Sequence, residues 1–310
     1  VPFAPIRQLT ADQVHVALPW GPLADTLAAT FRAPPEVPVR HAHALSESDS
    51  LLLMPVWDAT QIGLKVVTVI PDAPARGGHT VDATVMLFDR LTGAPQALLD
   101  GEALTVRRTA ATSALAARAL ARSNAQRLLV IGTGRLAPWM LRGYHAIMPS
   151  LTHFAVWGRT EANARAVARE LAAEGLTVEV ATDRPAAVAA ADIVSCVTTA
   201  TEPVVRGAWL RDGVHLDLVG GFTPGMRESD DAAIVRARVV VDTRAGAMPT
   251  AGDLLQPLQA GVIAESHVLA ELGQVLRGDV RVRRDPREVT LFKSVGHALE
   301  DFAAARLALG

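Results

Sequence analysis

The stretch Leu128-Leu129-Val130-Ile131-Gly132-Thr133-Gly134-Arg135-Leu136-Ala137 constrains this chain more than any other. An apolar, β-branched run ends in glycines and leads directly into Pro138-Trp139-Met140-Leu141, which has helical composition. Strand, Gly-x-Gly-x-x-Ala and helix in that order are the fingerprint of a dinucleotide-binding βαβ unit. Gly132 allows the tight turn, Gly134 lets a pyrophosphate approach the backbone, and Ala137 lets helix and strand pack closely. The helix N-terminus offers unpaired N–H groups to the phosphates, and Pro138 is tolerated in a first helical turn. Any tight strand-turn-helix with small residues shares part of this pattern, so the flanking elements decide.

They agree with the fingerprint. His153-Phe154-Ala155-Val156-Trp157 reads as the second strand, followed by Gly158-Arg159-Thr160 and a helical stretch from Glu161 to Ala173. Further strands are expected at Thr177–Ala181, Asp192–Thr199, Val214–Gly221 and Arg238–Asp242, which is the strand-helix rhythm of an α/β sheet. A site selective for NAD places Asp or Glu at the end of the second strand to hold the ribose hydroxyls. Here Trp157 and Gly158 stand there and Arg159 follows, with the Thr160 hydroxyl beside it. A guanidinium suits the 2′-phosphate of NADP, so NADPH is the expected cofactor and NADH the alternative. The cofactor site is expected to comprise Gly132, Thr133, Gly134, Arg135 and Leu136 of the turn, Trp157 to Thr160, the polar strand end Thr198-Thr199, and Val219-Gly220, where glycine permits close approach.

At 310 residues two domains are expected, and the N-terminal part differs in kind. Leu51–Trp57, Ile62–Ile70, Thr80–Phe88 and Pro95–Asp100 are strand-like, the last two joined by a hairpin turn at Asp89–Gly93. The tail from Val289 resembles this half in composition. We therefore expect an α+β domain over 1–120, rejoined by 290–310, and a Rossmann domain over 121–289.

Of the 30 basic residues only two, Lys65 and Lys293, are lysines. Arginine stays protonated, whereas burial tunes a lysine amine to give and take protons, so Lys65 is a chemical candidate. Codon bias is the plain alternative. Alternation turns Lys65 away from the facing of Leu64 and Val66, and an ammonium among apolar residues must find an anion or a cavity. Arg40, in Val39-Arg40-His41-Ala42-His43, is a candidate anion binder. His41 and His43 lack a companion carboxylate or cysteine cluster, so no metal is expected. Thr109 is expected to cap an alanine-rich helix, placing Arg107-Arg108 at its N-terminus. Cations sit poorly there unless an anionic ligand shares the site, which makes Arg108 a candidate for binding a carboxylate.

The formal net charge of −2 offers no basic face for nucleic acid or membrane, and no apolar run reaches membrane-spanning length. The lone Cys196 precludes an internal disulfide, and Val1-Pro2-Phe3-Ala4-Pro5 lacks a signal-peptide pattern. A cytoplasmic protein acting on a small molecule is expected.

Several separated segments together resemble the ornithine cyclodeaminase/mu-crystallin family: Gly63-Leu64-Lys65-Val66-Val67, Arg108-Thr109-Ala110-Ala111, Gly132-Thr133-Gly134, Gly221-Phe222-Thr223-Pro224-Gly225-Met226-Arg227-Glu228 and Phe292-Lys293-Ser294-Val295-Gly296. The resemblance spans nearly the whole chain. It implies a substrate-binding domain made from both chain ends, a Rossmann domain between them, and a homodimer formed through the substrate domains. It also implies that Arg40 and Arg108 bind a substrate carboxylate, that Lys65 is the active-site lysine, and that Met54 and Phe222 line the substrate while Thr109, Lys293 and Ser294 join the cofactor site. Cyclodeaminases and related alanine dehydrogenases carry an aspartate where this chain has Phe222, so the amine chemistry loses its expected base. The strand ends are closer to the family's ketimine reductases, which implies NADPH-dependent reduction of Δ1-pyrroline-2-carboxylate to L-proline and of Δ1-piperideine-2-carboxylate to L-pipecolate. Ornithine cyclodeamination, amino-acid dehydrogenation and mu-crystallin-like, NADPH-dependent ligand binding stay open as alternatives.

Overall fold

A computed structural model describes residues 6–310; the N-terminal segment read above for targeting signals lies outside the described residues. In chain order the first part comprises β1 (Arg7–Leu9), α1 (Ala11–Ala17), α2 (Trp20–Arg32), β2 (His41–Ala44), β3 (Ser50–Trp57), β4 (Gln61–Val69), β5 (Val81–Asp89), β6 (Pro95–Asp100) and α3 (Gly101–Leu120). Then follow β7 (Arg127–Ile131), α4 (Leu136–Ile147), β8 (His153–Trp157), α5 (Glu161–Ala172), β9 (Glu179–Val180), α6 (Arg184–Ala190), β10 (Ile193–Cys196) and β11 (His215–Leu218). The chain ends with α7 (Asp231–Arg236), β12 (Ala237–Val241), α8 (Arg244–Thr250), α9 (Gly252–Gln259), β13 (Val268–Glu271), α10 (Leu272–Arg277), β14 (Val289–Lys293) and α11 (Ala298–Leu309). Among the described residues no helix is long and apolar enough to cross a membrane.

Two compact units emerge, one of Val1–Thr109 with His297–Gly310 and one of Ala110–Gly296. The first is built on a six-stranded sheet in the order β1-β6-β5-β4-β3-β2, antiparallel except for β1 beside β6. One face buries Met54, Val56, Gly63, Lys65, Val67, Val85, Leu87, Ala97 and Leu99, with α11 packed on it. Gly63 is there because α11 is so close: a Cβ at that position would lie 2.8 Å from Cδ2 of Phe302. The opposite face carries Leu53, Pro55, Leu64, Val66, Met86 and Leu98, all only partly buried. The β5–β6 hairpin turns where expected, with the Asp89 carboxylate accepting from Leu91 N–H and Thr92 N–H and Gly93 at φ +71°.

The second unit is a fully parallel eight-stranded sheet, β13-β12-β14-β11-β10-β7-β8-β9, in a Rossmann-like arrangement. Its inner strands β10, β11 and β14 are buried at every position, as is the continuous apolar run Leu128–Ile131 of β7. Strand order reverses at β7 and β10, whose carboxyl ends form the switch point where such sheets bind ligands.

The unit boundaries and the start of α3 differ from the expectations. The chain leaves the Rossmann unit at Gly296 rather than 289, because β14 pairs with both β11 and β12 in the middle of the parallel sheet. On the N-terminal side the division falls at Thr109 rather than 120, inside α3, because that helix starts earlier than its alanine content suggests. Asp100, not Thr109, caps it, accepting from Ala103 N–H at 2.8 Å. Arg107 and Arg108 therefore lie in the helix interior, and the dipole argument for their anion binding does not apply.

Candidate active site

In the first unit Lys65 projects from the central strand β4 toward α3 and α11 and is 4 % exposed. Its Nζ donates to Thr105 Oγ1 at 2.6 Å and to Asp301 Oδ1 at 3.0 Å. An ammonium has three N–H donors, so one is left without a protein partner among the described residues. Met54 is its cross-strand neighbour on β3. Arg108 Nε donates to the same Asp301 Oδ1 at 3.0 Å, and Nη1 donates to Glu300 Oε2 at 2.6 Å. Two cations and two carboxylates thus form one buried cluster, and the anions that Lys65 required are supplied by the C-terminal helix. Arg107 takes a different part, stacking on Trp20 at 3.9 Å and donating to the Leu18 carbonyl.

Burial lowers the Lys65 pKa from its ordinary value; Asp301 opposes that shift, Arg108 reinforces it and Glu300 opposes it. Burial alone would raise the Asp301 pKa, but Arg108 and Lys65 more than offset this and hold the carboxyl below its usual range. Arg108 is pushed the other way: desolvation is overcome by Asp301 and Glu300, and its pKa is raised. The buried amine thus releases its proton more readily than a solvated lysine, while the two carboxylates hold it by charge. Beside it, burial and Arg40 push the His297 pKa down to about 4, leaving a neutral imidazole whose Nδ1 is buried without a hydrogen-bond partner. Arg40 lies within electrostatic reach of this ring and is itself partnered.

In the second unit the glycine turn has the geometry that a dinucleotide needs. Gly132 sits at φ +127°, and a Cβ there would approach the Val197 carbonyl to 2.7 Å. Gly134 is exposed and has open space where a Cβ would be. Arg135 stands at the N-cap of α4 with no side-chain cap, and Leu136 begins the helix; Ala137 N–H donates to the Gly134 carbonyl at 3.0 Å, which tightens the turn. Thr133 packs against the end of β8, where a Cβ on Gly158 would lie 2.5 Å from its methyl. Arg159 and Thr160 are exposed just beyond. These residues fit a nicotinamide dinucleotide. Trp157 is half-buried, with the Arg184 guanidinium 4.4 Å from its ring centroid.

At the ends of β10 and β11, Thr198 donates to Glu228 Oε1 through N–H at 2.7 Å and through Oγ1 at 2.8 Å, while Gly220 N–H donates to Oε2 at 2.7 Å. Thr199 and Val219 flank this knot, the first exposed and the second partly buried. Lys293, expected at the cofactor, is fully buried instead, 3.2 Å from Asp253 Oδ2. Its ammonium faces the Asp253 carboxylate inside the unit, and Nζ has no hydrogen-bond partner among the described residues. Ser294 is likewise buried, its N–H donating to the Leu218 carbonyl. Thr109 is 9 % exposed within α3, and Phe222 is 44 % exposed in the loop after β11. His41 and His43 lie exposed on β2. Among the described residues the one cluster with metal-ligand spacing is His79, Asp82 and Glu102, a different place.

Residues 9–309 match the family model described as the ornithine cyclodeaminase/mu-crystallin family. The chain belongs to that family. It is 35 % identical over 311 residues to a Δ1-pyrroline-2-carboxylate reductase of Colwellia psychrerythraea, an alignment covering 97 % of each protein. Among solved structures it resembles the Thermococcus litoralis Δ1-pyrroline-2-carboxylate reductase in complex with NADH and L-proline, with a TM-score of 0.92, 31 % identity, and coverage of 98 % of this chain and 96 % of that one. An archaeal alanine dehydrogenase dimer with bound NAD superposes with a TM-score of 0.91 at 27 % identity, covering 98 % and 94 % of the two chains. Inside this family frame the structure adds Thr105, Glu300 and Asp301, which sequence reading missed. Their one visible signal is an acidic pair in the first turn of the otherwise apolar stretch Ala298-Leu299-Glu300-Asp301-Phe302-Ala303-Ala304.

Proposed function

We propose that this protein is a nicotinamide-dependent reductase of cyclic ketimine acids, converting Δ1-pyrroline-2-carboxylate to L-proline and Δ1-piperideine-2-carboxylate to L-pipecolate. NADPH is the preferred reductant, supported by the exposed Arg159 and Thr160 at the end of β8 and by the absence of an acidic residue there. The observation that carries the reading is the buried Lys65 amine with one donor left for a ligand. When bound, the reduced nicotinamide supplies the hydride. Lys65 holds a proton for the imine nitrogen, Arg108 and Arg40 orient the carboxylate, and Met54 sets the apolar wall next to the amine. Phe222 replaces a carboxylate with a ring, which disfavours deamination and suits the carbon skeleton of a cyclic imine.

A homodimer through the partly buried apolar face of the six-stranded sheet is part of this reading, supported by the dimeric alanine dehydrogenase relative.

Following NADPH and NADH oxidation with freshly prepared Δ1-pyrroline-2-carboxylate tests the assignment. Wild type turns over with preference for NADPH, Lys65→Ala loses about 10²–10⁴-fold in kcat, and Arg159→Ala lowers the NADPH preference about tenfold, the worth of one charge-assisted hydrogen bond. No turnover by wild type, or undiminished turnover by Lys65→Ala, defeats it. Ammonia release from L-ornithine moves the protein to the cyclodeaminases.

A further inference from the structure

The carboxylate of Asp301 stands where no substrate-binding expectation placed an acid, and a single one of its oxygens is shared by two cations. One oxygen, Oδ1, receives both Lys65 Nζ and Arg108 Nε at 3.0 Å, while Oδ2 is buried with no hydrogen-bond partner. An unpaired buried acceptor costs about 1–3 kcal/mol, so Asp301 holds its two cations at an energetic cost. Asp301 is 2 % exposed and comes from α11, whereas Lys65 comes from β4 and Arg108 from α3. Three elements therefore meet on a single atom.

We infer that Asp301 is a positioning residue which fixes the distance between the proton-bearing amine and the carboxylate-binding guanidinium, and which keeps Lys65 protonated in a buried site until the substrate takes the proton. This rests on the reductase reading for the proton's destination. In the step itself, a bound reduced nicotinamide would supply the hydride for the new C–H bond; as the C=N π pair moves to nitrogen, nitrogen takes a proton from Lys65 Nζ. Lys65 leaves the step as a neutral amine and is reprotonated from water; Asp301 stays anionic throughout. The charged groups that bear on Lys65 are Asp301 and Glu300 on α11 and Arg108 on α3, with neutral His297 and Arg40 beyond them. Thr105 on α3 contributes only a neutral acceptor. Of these, Asp301 alone touches both functional cations.

The composition of the chain makes this directly measurable. With two lysines in the sequence, selective 13Cε-lysine labelling gives two side-chain signals, assigned by Lys65→Arg. Asp301→Asn keeps the shared acceptor oxygen and removes only the charge. We expect the Lys65 titration midpoint, already below that of a free lysine in wild type, to fall by a further pH unit or more in Asp301→Asn. The alkaline limb of kcat moves with it, and KM rises as Arg108 loosens. Asp301→Glu restores part of the shift. Thr105→Val leaves the midpoint within a few tenths of wild type.

An unchanged Lys65 midpoint in folded Asp301→Asn overturns the inference, as does a uniform loss of activity with no movement of either the midpoint or the limb. Should Asp301→Asn fail to fold, Asp301→Glu decides, since displacing the carboxylate by one methylene must move the midpoint. The titration needs no substrate. A wild type inert toward imino acids would therefore sink the reductase reading and leave the role of Asp301 separately decided.

Discussion

The two lysines have opposite fates. Lys65 keeps a donor for a ligand, whereas Lys293 is closed in with Asp253 and Glu228 at zero exposure. Burial raises the Glu228 pKa to about 7, Lys293 lowers it and Asp253 raises it again. Gly220 and Gly221 exist for this knot: a Cβ on Gly220 would lie 2.3 Å from Glu228 Oε1, and one on Gly221 would lie 2.2 Å from Asp253 Oδ2. Removing one member of a buried charge group leaves the others uncompensated, typically at about 3–5 kcal/mol. Lys293→Met is expected to destabilise the fold by that order. A carboxyl whose folded pKa is raised contributes fully below its unfolded value, near 4.5, and loses that contribution as pH rises through about 7. Losing the Lys293 cation raises the folded pKa further, so the destabilisation is larger at pH 8 than at pH 5. Urea unfolding at the two pH values checks this; equal losses at both would show that Lys293 acts through packing alone.

At the scale of elements, α3 shows how local propensity loses to close approach. Gly101 opens this helix, where alanine is intrinsically better by about 1 kcal/mol. Yet a Cβ at Gly101 would lie 2.5 Å from the Ala83 carbonyl carbon and 2.6 Å from its oxygen, both backbone atoms of β5 that have little room to shift. Overpacking of that kind costs about 1–3 kcal/mol, so Gly101→Ala is expected to destabilise despite its better propensity, read as a lower urea midpoint with unchanged slope. The same contact explains why the helix start was hard to read. The sequence from Gly101 to Thr105 carries no alanine run, and Thr109 is a good cap in isolation, but the Asp100 carboxylate at the end of β6 takes the cap first. Where strands were long, as in β4 and β5, or apolar and next to the glycine turn, as in β7 and β8, the pattern placed them well. β13 escaped notice because it has four residues and follows the polar Glu265-Ser266-His267. β14 was visible as a strand, but its sheet was not, since parallel neighbours are set by tertiary pairing that no local pattern records. For the site, Lys65, Arg108 and the glycine turn were legible because each breaks a local rule. Asp301 was hidden because acids in a first helical turn are common, and only the fold brings this one to Lys65.

For the whole molecule, the unsettled surface is the second face of the six-stranded sheet. Pro55, Leu64, Met86 and Leu98 lie in register across β3, β4, β5 and β6, and Leu53 and Val66 adjoin them in the next row. The other face of the same strands is taken by α11 and the Lys65 cluster, so these side chains do not serve the unit's own core. A continuous apolar area of this kind on a protein surface marks an interface, and an antiparallel sheet normally gives its solvent face polar alternation. Here both faces are apolar, the pattern expected when the second face is covered by another copy. A two-fold contact brings each central residue near its own symmetry mate, so one charge introduced at the centre is placed twice. Leu64→Arg is therefore expected to convert a dimer of wild type into a monomer in light scattering coupled to size exclusion. The far-UV circular dichroism should be retained, because residue 64 points away from α11. A wild type that is monomeric at micromolar concentration, or a Leu64→Arg variant that stays dimeric, would place the interface elsewhere and leave this apolar face without an occupant.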